Sequence, residues 1–298
     1  MMPRYQNALF LYNGNAGSDN IEQKLAETLP ILSQEIKQLT ILQTKSVEEA
    51  KEACEKFSKI VELIIILGGD GTLHECINSI SQLDSRPVIG ILPGGTSNDF
   101  SRMLDIPQNL EQAARTIING REGPVDIGKL GEEFFLNFWG IGLVTETSSN
   151  IDENQKNRFG VLSYFISALK TVNQAAPFSF QMKIDGKEIE GEAIMILVMN
   201  GCFIGTRQVP IESIKPNDGL LDVLIVKNSN LTLFKELMVV DQPWAEDERF
   251  QELAYTRGER IDIKTNPVQD IDTDGEIKRT TPEVIEVLPN HLTFLHAE

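Results

Sequence analysis

The chain has 298 residues, of which 41% are hydrophobic and 24% charged, and its formal net charge is −17. That balance belongs to a folded globular protein with room for one large domain or two ordinary ones. So acidic a surface argues against nucleic acid as a partner and against uniform adhesion to anionic lipid. No apolar stretch approaches the roughly 18 residues of a membrane span. The longest, Leu63–Leu67 and Ala193–Met199, are strand-sized. Met1–Asn7 lacks the basic-then-apolar order of a secretory signal. Cys54, Cys76 and Cys202 are odd in number, distant in sequence and without metal-ligand spacing. They read as reduced structural thiols, which points to the cytoplasm.

In chain order, Ala8–Tyr12 reads as a strand, Asn20–Lys37 as an amphipathic helix and Leu39–Thr44 as a second strand. Val47–Phe57 is a helix, with Ser46 as its cap and Glu49 completing a capping box. Leu63–Leu67 is a β-rich run, Thr72–Ile80 a helix, Val88–Leu92 another buried strand and Leu110–Ile118 another helix. Uninterrupted apolar strands alternating with helices predict a parallel sheet covered on both faces. In such sheets ligands sit beyond the carboxyl ends of the strands. The segments Asn13–Gly17, Gly68–Thr72 and Pro93–Asp99 all fall there.

The pattern changes near Gly123–Pro124. Short β-like runs follow: Val125–Leu130, Glu133–Phe138, Phe178–Ile184, Ala193–Asn200, Leu221–Val226, Ile261–Lys264, Val268–Ile271, Val284–Leu288 and Leu292–Leu295. Turn signals at Asp185-Gly186, Asn217-Asp218-Gly219 and Asp274-Gly275 separate them, as in an antiparallel sandwich or barrel. Helical inserts are expected at Phe159–Ala175 and Leu231–Val240, and a solvated acidic segment at Asp241–Glu252. The reading is therefore an α/β domain over residues 1–124 and a β-rich domain over 125–298, with the site in the cleft between them and the last strand, Leu292–Leu295, left open to pack back on the first domain. An exposed edge strand in the second domain offers a route to a homodimer. Lys156 and Arg158 near Phe159 and Tyr164 form a local basic and apolar face, which a solvated helix surface explains more simply.

The chemistry concentrates in two glycine-rich turns, Leu67-Gly68-Gly69-Asp70-Gly71-Thr72 and Pro93-Gly94-Gly95-Thr96-Ser97-Asn98-Asp99. Each follows an apolar strand and leads into a helix. Glycines there let backbone N–H groups approach an anion, and the helix N-terminus adds partial positive charge. A carboxylate repels phosphate, so Asp70 and Asp99 imply a divalent cation between them and the ligand. Together these features indicate a magnesium nucleotide and phosphoryl transfer. The simpler alternative is that both aspartates cap the helices that follow. Neither the G-x-x-x-x-G-K-[ST] phosphate loop nor a G-x-G-x-x-G fingerprint is present.

The Gly-Gly-Asp-Gly-Thr at Gly68–Thr72, the Pro-x-Gly-Thr-x-Asn-Asp-Phe at Pro93–Phe100, Asp218-Gly219-Leu220-Leu221-Asp222 and Asp274-Gly275-Glu276 stand in one order along the chain. In that order they resemble the catalytic domain of the diacylglycerol kinase family, in the branch of bacterial soluble lipid kinases related to sphingosine kinases. The resemblance implies an ATP-dependent lipid kinase whose acceptor is a hydroxyl of diacylglycerol or a related lipid. It assigns Asn13, Gly14, Asn15, Ala16 and Gly17 to the first nucleotide loop and Thr44 to the neighbourhood of the adenosine. Gly68, Gly69, Asp70, Gly71, Thr72, Leu73 and Thr96 would hold phosphates, with His74 and Asn98 beside them. Asp70 and Asp99 would organise the catalytic Mg²⁺ through water.

The same resemblance places the proton acceptor at Glu276 or Asp274. It also places a structural Mg²⁺ on Asp218 and the carbonyls of Lys215 and Leu220. Gly14, Ala16 and His74 depart from the family's proline, serine and asparagine. On residue patterns alone, Asp274-Gly275 and Asn217-Asp218-Gly219 are also ordinary turns. Phe138 and Trp139, beside Gly140 and Gly142, suit a core or an apolar acceptor groove. Two other readings stay open: a NAD kinase-like phosphotransferase, and a non-catalytic relative that binds lipid or nucleotide. The expected place in the cell is the cytoplasm, reaching lipid peripherally at the inner membrane face.

Overall fold

The structure, a computed structural model, describes residues 3–14, 20–142, 176–209, 211–228, 236 and 251–297. The chain packs into two units, Met1–Val125 with Asn290–Glu298, and Asp126–Pro289.

The first unit runs β1 (Tyr5–Asn13), α1 (Ile21–Leu32), β2 (Ile36–Thr44), α2 (Val47–Phe57), β3 (Leu63–Gly68), α3 (Asp70–Ser81), β4 (Val88–Pro93), α4 (Asp99–Met103) and α5 (Leu110–Asn119). Its strands lie in the order β2-β1-β3-β4. All are parallel, with Phe10 opposite Ile41 and Ile65, and Ile65 opposite Gly90. Leu9, Phe10, Leu11, Ile64, Ile65 and Ile89 are fully buried, as strands covered on both faces must be. Beyond β4, Phe294 of the C-terminal strand pairs in parallel with Ile89.

One boundary corrects the reading from sequence. The helix expected over Asn20–Lys37 ends at Leu32, and Ile36 and Lys37 open β2, because Ile36 pairs with Tyr5 and is buried. The cap of α2 is as expected on one side, with Ser46 Oγ accepting from Glu49 N–H at 3.2 Å. The return arm is shifted by one residue, since Glu49 takes the N–H of Lys45 at 2.8 Å.

The second unit begins within β5 (Arg121–Leu130). It continues through β6 (Glu133–Phe135), β7 (Phe138–Gly142), β8 (Phe178–Ile184), β9 (Lys187–Ala193), β10 (Met195–Met199), β11 (Phe203–Ile204) and β12 (Arg207–Gln208). Then come β13 (Leu221–Val226), β14 (Leu253–Gly258), β15 (Arg260–Asn266), β16 (Asp270–Thr273), β17 (Glu276–Thr280) and the first half of β18 (Glu283–His296). One antiparallel layer is ordered β14-β13-β10-β7-β16-β17, and a second joins β18, β15, β8 and β9. Trp139, Ile141, Ile196 and Val223 from the first layer meet Phe180, Ile261 and Ile285 from the second in one core. Trp139 and Phe138 are thus packed among core residues.

Other strand expectations change as well. The run Glu133–Phe138 divides into β6 and β7. The runs Val284–Leu288 and Leu292–Leu295 are one strand. Within it Asn290, with φ 51°, bends the chain after Pro289 without ending the strand. The helices expected at Phe159–Ala175 and, apart from Glu236, at Leu231–Val240 lie outside the described residues, as do Lys156 and Arg158. Of Asp241–Glu252 only Gln251 and Glu252 are described. Their N–H groups and that of Leu253 are held by the buried Glu236 carboxylate at 2.7, 3.0 and 2.9 Å.

Candidate active site

In the first unit the two glycine turns close on each other. Gly94 N–H donates to Gly68 O at 2.8 Å. A Cβ on Gly95 would lie 2.5 Å from the Gly69 Cα, so these two backbones can touch only because both residues lack side chains. Gly71 is different. It lies in the first turn of α3, and a Cβ there would meet nothing within 4 Å. Packing therefore gives no reason for glycine at that position. Gly69 is the N-cap of α3 and, as a glycine, offers no side chain to cap the helix.

Asn98, with φ 52°, turns its side chain back on its own loop. Its Oδ1 accepts from Gly95 N–H at 2.9 Å, and its Nδ2 donates to Gly95 O at 3.0 Å. It does not cap α4. That task falls to Asp70, whose Oδ1 accepts the Phe100 N–H at 3.3 Å. Asp70 thus caps the helix of the other loop rather than its own, which brings its carboxylate beside Asp99, itself a buried residue. Two cations hold the second loop from outside: Arg102 Nε donates to Ser97 O at 2.9 Å, and Lys24 Nζ to Gly94 O at 3.2 Å.

The other residues expected around a nucleotide fall nearby or outside the described part. Asn13 ends β1 opposite Thr44. Gly14 N–H donates to Thr44 O at 2.9 Å, and the Thr44 hydroxyl donates to Tyr12 O at 3.2 Å. Asn15, Ala16 and Gly17 are outside the described residues. Thr72 Cβ lies 2.7 Å from the position of a Cβ on Gly68. Leu73 N–H begins the α3 ladder on Gly69 O at 3.0 Å, and Thr96 is exposed. His74 is buried, with Nε2 3.2 Å from Asn78 Nδ2 one turn along the same helix.

In the second unit Asp274, with φ 54°, forms the β16–β17 turn. Its carboxylate accepts three main-chain N–H groups: Leu136 at 2.8 Å on Oδ2, and Asn137 and Phe138 at 2.9 and 3.0 Å on Oδ1. Glu276 opens β17 half-exposed, with Lys278 Nζ 3.7 Å away. Asp218 accepts Leu220 N–H at 3.1 Å on Oδ1 and pairs with Arg257 through Oδ2. No donor among the described residues reaches the carbonyls of Lys215 or Leu220. Arg257 also meets the buried Asp222 at 3.0 Å, and Tyr255 donates to the same carboxylate. Burial pushes Asp222 up to about 6, against the lowering effect of these two partners.

Two features escaped the sequence reading. Asp126, fully buried in β5, accepts Gly219 N–H at 2.7 Å and donates its own N–H to Pro216 O at 2.6 Å. It therefore shapes the Lys215–Leu220 loop. A single carboxylate inside the apolar run Val125–Ile127 was the available signal. Second, Cys54 of α2 and Cys76 of α3, remote in sequence, are buried as neighbours. That contact and full burial hold the Cys76 thiol well above its ordinary value.

Among the described residues, no group of three or more His, Cys, Asp or Glu side chains is arranged to hold a metal. A cation here would need main-chain carbonyls or water beside single carboxylates. Nor is any described helix long and apolar enough to cross a membrane.

Comparison with known proteins finds two family models that match the chain. Residues 7–130 match the diacylglycerol kinase catalytic domain, and residues 141–296 match the YegS C-terminal NAD kinase beta sandwich-like domain. A protein named "Putative lipid kinase" from Staphylococcus aureus strain Mu3 is 34% identical over 300 residues, covering 99% of this chain and 98% of that protein. The same identity and coverage hold for its namesake in strain Newman. A crystal structure titled as a putative diacylglycerol kinase from Bacillus anthracis strain Sterne superposes with a TM-score of 0.89 at 37% identity, covering 99% of this chain and 98% of that one. A second structure from that strain gives 0.84 at 34%, covering 98% of each chain. The chain belongs to the diacylglycerol kinase catalytic domain family, in the form that carries a NAD kinase-like β-sandwich behind the kinase domain.

Proposed function

We propose that the protein is an ATP-dependent lipid kinase that phosphorylates a hydroxyl of diacylglycerol or a related lipid. The observation that carries the nucleotide half is the start of α3, where the N-cap is a glycine and Gly71 leaves open space. A helix N-terminus that begins on glycines, with room beside it, favours an anion such as phosphate. Asp70 and Asp99 offer hard oxygen donors suited to Mg²⁺ held through water. Mg-ATP, when bound, supplies the phosphoryl group and part of the charge neutralisation that its transfer needs. The Lys215 and Leu220 carbonyls, with Asp218, suit a second, structural Mg²⁺.

Of the two candidate bases, Asp274 has its oxygens committed to three main-chain N–H groups, so its part is to position the Leu136–Phe138 segment. Glu276 carries no such commitment and takes the proton of the attacking hydroxyl. The test is transfer of labelled phosphate from ATP to a lipid extract, with products identified by mass. Asp70→Ala, Asp99→Ala and Glu276→Gln run beside the unaltered protein. A phospholipid product that disappears in all three supports the reading. Product on NAD but on no lipid, or ATP binding without any product, overturns it.

A further inference from the structure

A kinase that lacks the phosphate-loop lysine still has to balance the charge of a triphosphate, and a net charge of −17 makes that harder. Lys24 stands in the right place. It projects from α1, half-buried, and its Nζ lies 3.2 Å from the carbonyl of Gly94. Gly94 is the residue whose own N–H binds Gly68 at 2.8 Å, so the ammonium sits where the two glycine turns join. Arg102 touches the same loop at its far end, on Ser97.

Lys24 has no carboxylate within ion-pair distance among the described residues, although α1 itself carries Glu22 and Glu27. An ammonium has three donors, and one neutral carbonyl uses a single one. A half-buried cation held against a carbonyl, with no counter-ion among the described residues, leaves positive potential directed at its surroundings.

We propose that Lys24 is the phosphate-binding cation of this enzyme, reaching the nucleotide from the first helix instead of from a glycine loop. The idea rests on the nucleotide site proposed above, and it assigns Lys24 a role toward the phosphates rather than toward the adenosine.

The experiment is calorimetric binding of Mg-ATP, Mg-ADP, AMP and adenosine to the full chain and to Lys24→Met and Lys24→Arg. Arg115→Gln, in the exposed pair with Glu111, serves as the charge-loss control. Lys24→Met is expected to weaken Mg-ATP about tenfold to thirtyfold, AMP less and adenosine not at all. Lys24→Arg should keep most of the affinity, and Arg115→Gln all of it. Raising the salt concentration should weaken Mg-ATP binding to the unaltered protein more steeply than to Lys24→Met.

A merely structural anchor for Gly94 would instead reduce affinity for all four ligands by the same factor, and that result overturns the inference. So does a Lys24→Met variant that binds Mg-ATP as the unaltered protein does. Failure of the unaltered protein to bind Mg-ATP is a separate outcome, and it overturns the proposed function as well.

Discussion

Replacing Gly71 by alanine separates what this glycine does for folding from what it does for a ligand. The residue is helical, its φ is not in the left-handed region, and a Cβ there meets no atom within 4 Å. Alanine is favoured over glycine by about 0.5–1 kcal/mol at such a helical position, so Gly71→Ala should raise stability by about that amount. The same methyl group fills the space beside the first turn of α3. Loss of one hydrogen bond to a charged phosphate costs about 1.5–3 kcal/mol, a tenfold to hundredfold loss of Mg-ATP affinity. Urea denaturation and calorimetric titration on one preparation measure both. Gly95→Ala is the contrast: its Cβ would lie 2.5 Å from the Gly69 backbone, and overpacking of this kind costs about 1–3 kcal/mol. A Gly71→Ala protein that is stabilised yet binds Mg-ATP within twofold of the original would refute the argument, since the open space would then not be where phosphate sits.

The two acidic residues at the β16–β17 turn should respond in opposite ways. Asp274→Asn leaves at least one of three buried N–H groups without an acceptor and should cost about 2–4 kcal/mol in denaturation. Glu276→Gln should stay within about 0.5 kcal/mol of the original stability while lowering kcat at least about a hundredfold, as steady-state kinetics would show. Asp222, raised by burial to about 6, keeps its proton in the folded state between about pH 4 and 6, where the unfolded chain has lost it. Stability should therefore fall as pH rises through that window, by up to about 3 kcal/mol, and Asp222→Asn should flatten the slope in denaturation curves at pH 4, 5, 6 and 7. Titration with a thiol reagent should find one fast-reacting cysteine, Cys202, in the native protein and three after denaturation, because Cys54 and Cys76 are fully buried.

The α/β half was legible because β1, β3 and β4 contain unbroken apolar runs and α2 carries its own start signal. Ser46 before α2 acts through its near neighbour Glu49. Lys37 was misplaced because the Gln34–Lys37 segment continues a helical pattern, while pairing of Ile36 with Tyr5, thirty-one residues earlier, decides its state. The same distance rule hid other features. β9, sequence Lys187–Ala193, is charged and exposed and is a strand only because β8 templates it residue by residue. Asp70 as the cap of a helix in the other loop, Lys24 on Gly94, and Cys54 against Cys76 join residues that no local window contains. The turn at Asp274 was readable, but its grip on Leu136–Phe138 spans more than a hundred residues.

The chain leaves its first unit at Val125 and re-enters it at Asn290, placing Phe294 beside Ile89 only at the end. On a ribosome, the parallel sheet therefore waits with β4 unpaired on one side until the whole β-rich insert has been translated. A protein interrupted before Asn290 would possess both glycine turns and every proposed nucleotide contact, yet retain an open strand able to recruit another chain. Chaperone demand during synthesis, and aggregation of C-terminally clipped molecules, are the costs of that threading order.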